Sequence, residues 1–229
     1  KEDIHFDAAM RYGNPSIKNI LYKSINNGYT DITILPMFPQ YSTTTTLSIF
    51  ELIKSIIGKD KSFFKNVHIS AVNDFHDNKL YIESCASKIS TTQQRIGRPD
   101  KLLFSFHGIP QSYICEDEPY QTQCLVTASL IAEKLNIHES QYEVAFQSRF
   151  GKAEWIKPYL SSRLEELPKE GIHNIHVFCP GFSSDCLETI DEIGRESKEE
   201  FFEHGGKSFK FIPCLNSEES FINALLDIK

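Results

Sequence analysis

Six short apolar runs, separated by amphipathic segments, set the strongest limit on what this chain can fold into. They are 31–35 (DITIL), 67–72 (VHISAV), 101–106 (KLLFSF), 142–147 (YEVAFQ), 174–179 (NIHVFC) and 209–213 (FKFIP). Each is too short for a helix and largely apolar, as strands buried on both faces should be. Helical segments lie between them. Asn14 reads as a cap with Pro15 at the first helical position, then apolar Ile17, Ile20, Leu21 and Ile25, with Gly28 as the stop. Segment 46–57 repeats the pattern and stops at Gly58, 121–135 puts Leu125, Ala128, Ala132 and Leu135 on one stripe, and 217–226 closes the chain. This alternation predicts an α/β fold with mainly parallel sheets, whose ligands sit outside the carboxyl ends of the strands.

Segment 27–38 (NGYTDITILPMF) parallels 170–182 (EGIHNIHVFCPGF) with one residue inserted, which suggests two similar lobes. The polar stretch 91–100 (TTQQRIGRPD) marks the expected boundary, giving lobes 1–97 and 98–229. The 229 residues are 40% hydrophobic and 24% charged, a globular composition. With 24 basic against 31 acidic residues the net charge is −7, which argues against a general nucleic-acid binder. No apolar run approaches the roughly 18–20 residues of a membrane span. The chain opens KEDIH, without an initiator Met or an apolar signal, so a processed or truncated piece of a cytoplasmic protein is expected. No two of the six cysteines have CxxC spacing, so free thiols are expected, with Cys179 and Cys214 as small buried hydrophobes.

Three strand-to-helix loops carry the candidate chemistry. In 36–46 (PMFPQYSTTTT) the threonines read as helix caps rather than catalysts. In 105–110 (SFHGIP), His107 stands where a strand runs out, as a base near neutral pH or a metal ligand. His5, His68, His138, His173, His176 and His204 read as solvated or satisfied side chains. After the run at 174–179, Glu188, Glu192 and Glu196 recur at i, i+4 and i+8 and form a row on one helical face. Like charges at that spacing cost a few tenths of a kcal/mol per pair unless a cation offsets them. A metal path and a solvated acidic surface both fit the row.

The segment 103–110 (LFSFHGIP) resembles the signature of ferrochelatases, which insert Fe²⁺ into protoporphyrin to make haem. Further segments agree in family order: 10–15 (MRYGNP), 39–42 (PQYS), 120–124 (YQTQC), 146–151 (FQSRFG) with Trp155 and Pro158, and 179–193 (CPGFSSDCLETIDEI). The resemblance implies two Rossmann-like lobes around a porphyrin cleft, with protoporphyrin IX and ferrous iron as substrates and no permanent cofactor. It makes His107 the active-site histidine, as base or metal ligand, and Glu188 the glutamate facing it. Glu192 and Glu196 become a path for metal or protons, Arg11 and Tyr12 the opposite wall, and Phe38, Phe75 and Phe182 apolar pocket residues. Thr43 follows PQYS and no Cys follows Cys214, so the iron–sulfur cluster of some members is not expected. Members carry a further N-terminal segment, so an N-terminally truncated ferrochelatase is expected. A chelatase for another tetrapyrrole or metal, and a noncatalytic tetrapyrrole- or metal-binding module, are the rival readings. Protoporphyrin against coproporphyrin, oligomeric state and peripheral contact with a membrane stay open.

Overall fold

The computed structural model describes residues 4–228; Lys1–Asp3, where the sequence lacks an initiator Met, and Lys229 lie outside the described residues. Contacts divide the chain into two compact units, one formed by residues up to Pro36 with Thr43–Asn73, the other by Met37–Ser42 with Asp74 onward. Each is α/β with a parallel sheet. The division expected at 97/98 lies at the end of α3 (Lys79–Ile96), a helix of the second unit that packs along α4 and α7.

In the first unit, α1 (Ile17–Asn26), β1 (Asp31–Ile34), a π-helix (Thr43–Leu47), α2 (Ser48–Lys59) and β2 (His68–Ala71) follow in order. β1 and β2 pair in parallel from Asp31 with His68 to Ile34 with Ala71. Ile17 and Leu21 of α1 meet Ile53 and Ile56 of α2 and Phe64, with Ile32, Ile34 and Ile69 of the strands against them. Helix α1 starts at Ile17 rather than Pro15, because Ser16 is the cap: its hydroxyl accepts the Asn19 amide. The helix stops where expected, with Gly28 at φ +92°. Helix α2 runs through Gly58 to Lys59. β1 alternates exposed and half-buried positions and β2 has exposed ends around two half-buried residues, so neither is buried on both faces as its composition suggested.

The second unit is built on β3 (Lys101–His107), β4 (Tyr142–Gln147), β5 (Asn174–Phe178) and β6 (Ser208–Ile212), parallel throughout in the order β4-β3-β5-β6. Side chains alternate across this sheet. Leu103, Ala145, Ile175 and Val177 pack with Leu164 and Leu167 of α5 (Leu160–Lys169), Ile193 and Phe201. Each fully buried leucine there contributes roughly 2–3 kcal/mol relative to exposure. Helices α3, α4 (Tyr120–Leu135) and α7 (Glu219–Asp227) pack with one another. On α4 the buried stripe is Cys124, Thr127, Ala128, Ile131 and Ala132, while Leu125 faces solvent, so the expected stripe is rotated. Helices α3 and α5 were not anticipated.

The chain moves from β3 outward to β4, then crosses back past β3 to β5 and on to β6. The strand order therefore reverses between β3 and β5, and in such sheets the crevice at the carboxyl ends of those two strands holds ligands. His107 ends β3, and the loop after β5 leads through Pro180–Phe182 into a second π-helix (Glu188–Ser197), then α6 (Lys198–Glu203). The repeat seen in the sequence extends this far, since β1 is likewise followed by Pro-x-Phe and then a π-helix.

Candidate active site

His107 is the last residue of β3 and lies in register with Gln147 of β4. Gly108 follows in tight quarters: a Cβ there would lie 3.0 Å from the Gln147 carbonyl oxygen and 3.0 Å from Trp155 Cε3, so any larger residue needs its neighbours to give. The His107 ring is half-buried, and its Nδ1 lies 2.6 Å from the Gly108 carbonyl. A carbonyl only accepts, so Nδ1 carries the proton of the neutral ring and Nε2 keeps a free lone pair. The His107 carbonyl accepts from the buried Tyr120 hydroxyl at 2.9 Å, which fixes the strand end. The Trp155 ring lies 6.4 Å from the imidazole, centroid to centroid, and Phe150 meets Trp155 edge-on at 5.1 Å.

Glu188 is the first residue of the second π-helix. Asp185 anchors the turn before it, accepting from the Cys214 amide at 3.0 Å, Asn216 Nδ2 at 2.8 Å and Thr189 Oγ1 at 3.3 Å. Burial raises the Asp185 carboxyl, and these hydrogen bonds, Asn216 first, bring it below its ordinary range. Thr189 Oγ1 also accepts the Cys186 amide at 2.9 Å. The Glu188 carboxyl is held below the usual range by a hydrogen bond from the Cys186 thiol and by its own amide; burial opposes them and the nearby His107 adds to them. The thiol correspondingly stays protonated, pushed up by burial and by the Glu188 carboxylate. An ionised carboxylate thus stands within electrostatic range of an imidazole with a free nitrogen.

The rest of the row is held differently at each step. Glu192 is gripped by Ser148, whose amide and hydroxyl donate to its two oxygens at 2.6 and 2.7 Å. Aiming both donors at one carboxylate takes Ser148 to φ +62°, a region costly for a side chain other than glycine. Glu196 pairs with Arg195 at 3.0 Å, so part of the expected path is neutralised from within its own helix. A cavity of about 170 Å³ is lined by Ser148, Tyr159, Glu192, Glu196 and Glu200 among others. Glu200 extends the row by one more i+4 step, and burial raises its carboxyl above the ordinary range. π-Helical i→i+5 bonding widens the turn from 3.6 residues to roughly four, which brings carboxylates four apart nearly into line.

The second unit also holds the three candidate phenylalanines. Phe75 is buried with its ring edge-on to Tyr81 at 5.4 Å, Phe182 packs partly buried on the sheet core, and Phe38 is exposed. Arg11 and Tyr12 belong to the first unit, where Arg11 donates to the Ser48 carbonyl and lies 4.6 Å from the centroid of the exposed Tyr12 ring. Among the described residues, three ligand-type atoms approach within 4.8 Å of one another at Asp74, His76 and Asp77, a group outside the sequence expectations; there His76 Nδ1 is already bonded to Asp74 at 2.6 Å. Sequence reasoning also missed Gln147, Ser148, Cys186 and Glu200. The first three lie within the segments that carry the resemblance, and Glu200 continues the four-residue spacing.

The ferrochelatase family model matches residues 1–229. The ferrochelatase of Idiomarina loihiensis is 41% identical over 224 residues, covering 98% of this chain and 61% of that protein. That of Herminiimonas arsenicoxydans is 42% identical over 226 residues, covering 99% and 61%. The chain thus spans about three fifths of the length of these curated relatives. Among solved structures, SirB from Bacillus subtilis with Fe³⁺ matches at TM-score 0.71 and 15% identity, covering 97% of this chain and 79% of that one. CbiX, described as the terminal enzyme of sirohaem biosynthesis in denitrifying bacteria, matches at TM-score 0.56 and 11% identity over 89% of this chain and 78% of that one. At these identities the structural likeness speaks for the fold.

Proposed function

Since the chain belongs to the ferrochelatase family, we propose that the whole protein is a metal–porphyrin lyase that inserts ferrous iron into protoporphyrin IX to form haem. The observation that carries the reading is the His107–Glu188 pair: an imidazole with its Nε2 lone pair free, beside a carboxylate kept ionised. Insertion replaces two pyrrole N–H protons by Fe²⁺, so two protons leave the macrocycle for each metal that enters. His107 Nε2 accepts one of them as a general base. Glu188 stabilises the imidazolium and takes the second proton or an iron ligand position. Glu192 and Glu196 lead away from Glu188, and their oxygen donors suit a hard or borderline divalent ion in transit. Arg11 and Tyr12 of the first unit and Phe38, Phe75 and Phe182 of the second are assigned to porphyrin binding, as the family membership implies.

Iron and porphyrin are substrates in this scheme and no resident cofactor is required. All six cysteines are free thiols in the fold, and we read them as such rather than as cluster ligands. The reading carries a cytoplasmic location with it; no helix of the described residues is long and apolar enough to cross a membrane. The test is anaerobic mixing of the full-length protein with Fe²⁺ and protoporphyrin while the Soret band is followed. Haem should form, and His107→Ala should lower the rate at least a hundredfold. Insertion into another tetrapyrrole alone would move the protein to a different chelatase, and binding without turnover would make it a carrier.

A further inference from the structure

Two catalytic candidates on different elements need something that fixes one against the other. His107 ends a strand and Glu188 begins a helix reached only through the loop after β5. One residue bridges them, with its side chain on the Glu188 side and its main chain beside the histidine. Gln147 is the last residue of β4, in register with His107, and its side chain is 2% exposed. Its Nε2 donates to the Glu188 main-chain carbonyl at 2.8 Å. Its Oε1 accepts the Ser105 hydroxyl at 2.7 Å and the Cys179 thiol at 3.6 Å. Its own carbonyl accepts the Gly108 amide at 2.9 Å, which fixes the chain immediately after the histidine.

The amide has only one workable orientation. Flipped, its NH₂ would face the Cys179 donor and its oxygen would face the Glu188 carbonyl, acceptor against acceptor. Ser105 on β3 and Cys179 at the end of β5 therefore aim the Nε2 donor at the first residue of the π-helix. Gly108 and Glu188 are thus held on either side of one buried residue, within hydrogen-bond length of it. Displacing a reacting group by about 1 Å can cost a hundredfold in rate, so such a tether bears on turnover more than on substrate capture.

We propose that Gln147 is the positioning residue that sets Glu188 against His107, with Ser105 as the group that orients it. This rests on the proposed role of the His107–Glu188 pair. Gln147→Met keeps the shape and removes both polar ends; Ser105→Ala keeps Gln147 and frees its amide. In the full-length protein, Gln147→Met should lower kcat about tenfold and Ser105→Ala about threefold, with KM for porphyrin within twofold of wild type. The double variant should be no worse than Gln147→Met, because both act through one bond. A second readout needs no turnover: Co²⁺ alone, titrated by its visible absorption, should bind the wild type about tenfold more tightly than Gln147→Met. Wild type that binds Co²⁺ but forms no haem fells the functional reading and leaves this proposal to the cobalt comparison. Equal kcat and equal Co²⁺ affinity in wild type and variants overturn it. So does a kcat loss that follows the melting temperature and vanishes on cooling, which is the mark of a merely structural amide. Should Gln147→Met fail to fold, Ser105→Ala decides by the same two readouts.

Discussion

Acid should weaken this fold through one buried histidine. His176 lies on β5, 2% exposed, in register with Leu102 of β3 on one side and Lys210 of β6 on the other. Its Nδ1 is buried without a hydrogen-bond partner. Burial, with the Lys210 charge adding to it, pushes the imidazole down to about 4, against 6.5 for the ordinary group. The unfolded chain therefore binds a proton at His176 between those two pH values that the folded chain does not, and stability falls as pH drops through that window. The full loss is about 3 kcal/mol below pH 4, and about 2 kcal/mol of it has appeared by pH 5. His176→Leu removes the titration and the unpartnered nitrogen at similar volume. Urea unfolding of wild type and variant at pH 7.5 and pH 5 isolates the effect, because every other titrating group cancels in the difference. The variant should gain about 2 kcal/mol on wild type between the two pH values, and the His176 ring proton should titrate near pH 4 by NMR. A stability difference that is the same at both pH values would refute the reasoning.

Two further outcomes follow from the site. Gly108→Ala must push its Cβ against main chain at 3.0 Å and should lower stability by about 1–3 kcal/mol, read as a drop in urea midpoint; an unchanged midpoint would mean the strand end yields. Cys186→Ala removes the thiol that holds Glu188 ionised, so the acid limb of the kcat/KM profile for haem formation should move to higher pH, whereas Cys186→Ser, which keeps a donor, should leave it in place. Identical limbs in the two variants would count against the thiol's influence.

Much of the fold was legible because the strands are apolar runs with little ambiguity: all six lie within about two residues of where their composition puts them. The helices were less so, for reasons visible at single residues. On α4 the apolar spacing points to Leu125, yet Thr127 is the buried residue: its hydroxyl donates to the His76 carbonyl and accepts from Gln40. Apolar periodicity cannot register a threonine buried for its hydrogen bonds. α3 carries a helical pattern in Tyr81, Ile82, Cys85 and Ile89, but its polar last turns read as a boundary. His107 and Glu188 could be placed as candidates because strand ends are where such sheets do chemistry. Gln147 and Ser148 could not, because their partners, Glu188 and Glu192, lie more than forty residues away along the chain.

The acidic row was legible as a spacing and illegible as a geometry. In an α-helix, residues four apart drift by about 40° per step, so three such carboxylates would fan out around the helix. Here the segment is π-helical, and roughly four residues complete each turn. That register is intrinsically poor, so it needs support from outside the helix. Asp185 and Thr189 fix the entry, Gln147 holds the Glu188 carbonyl, and Ser148 accepts a strained backbone to hold the Glu192 carboxylate. These contacts act on Glu188 and Glu192, while Glu196, further out, pairs with the exposed Arg195. A row stiff at the histidine end and looser further out would let a cation or proton move at its far end without disturbing the His107–Glu188 pair to which the chemistry is proposed.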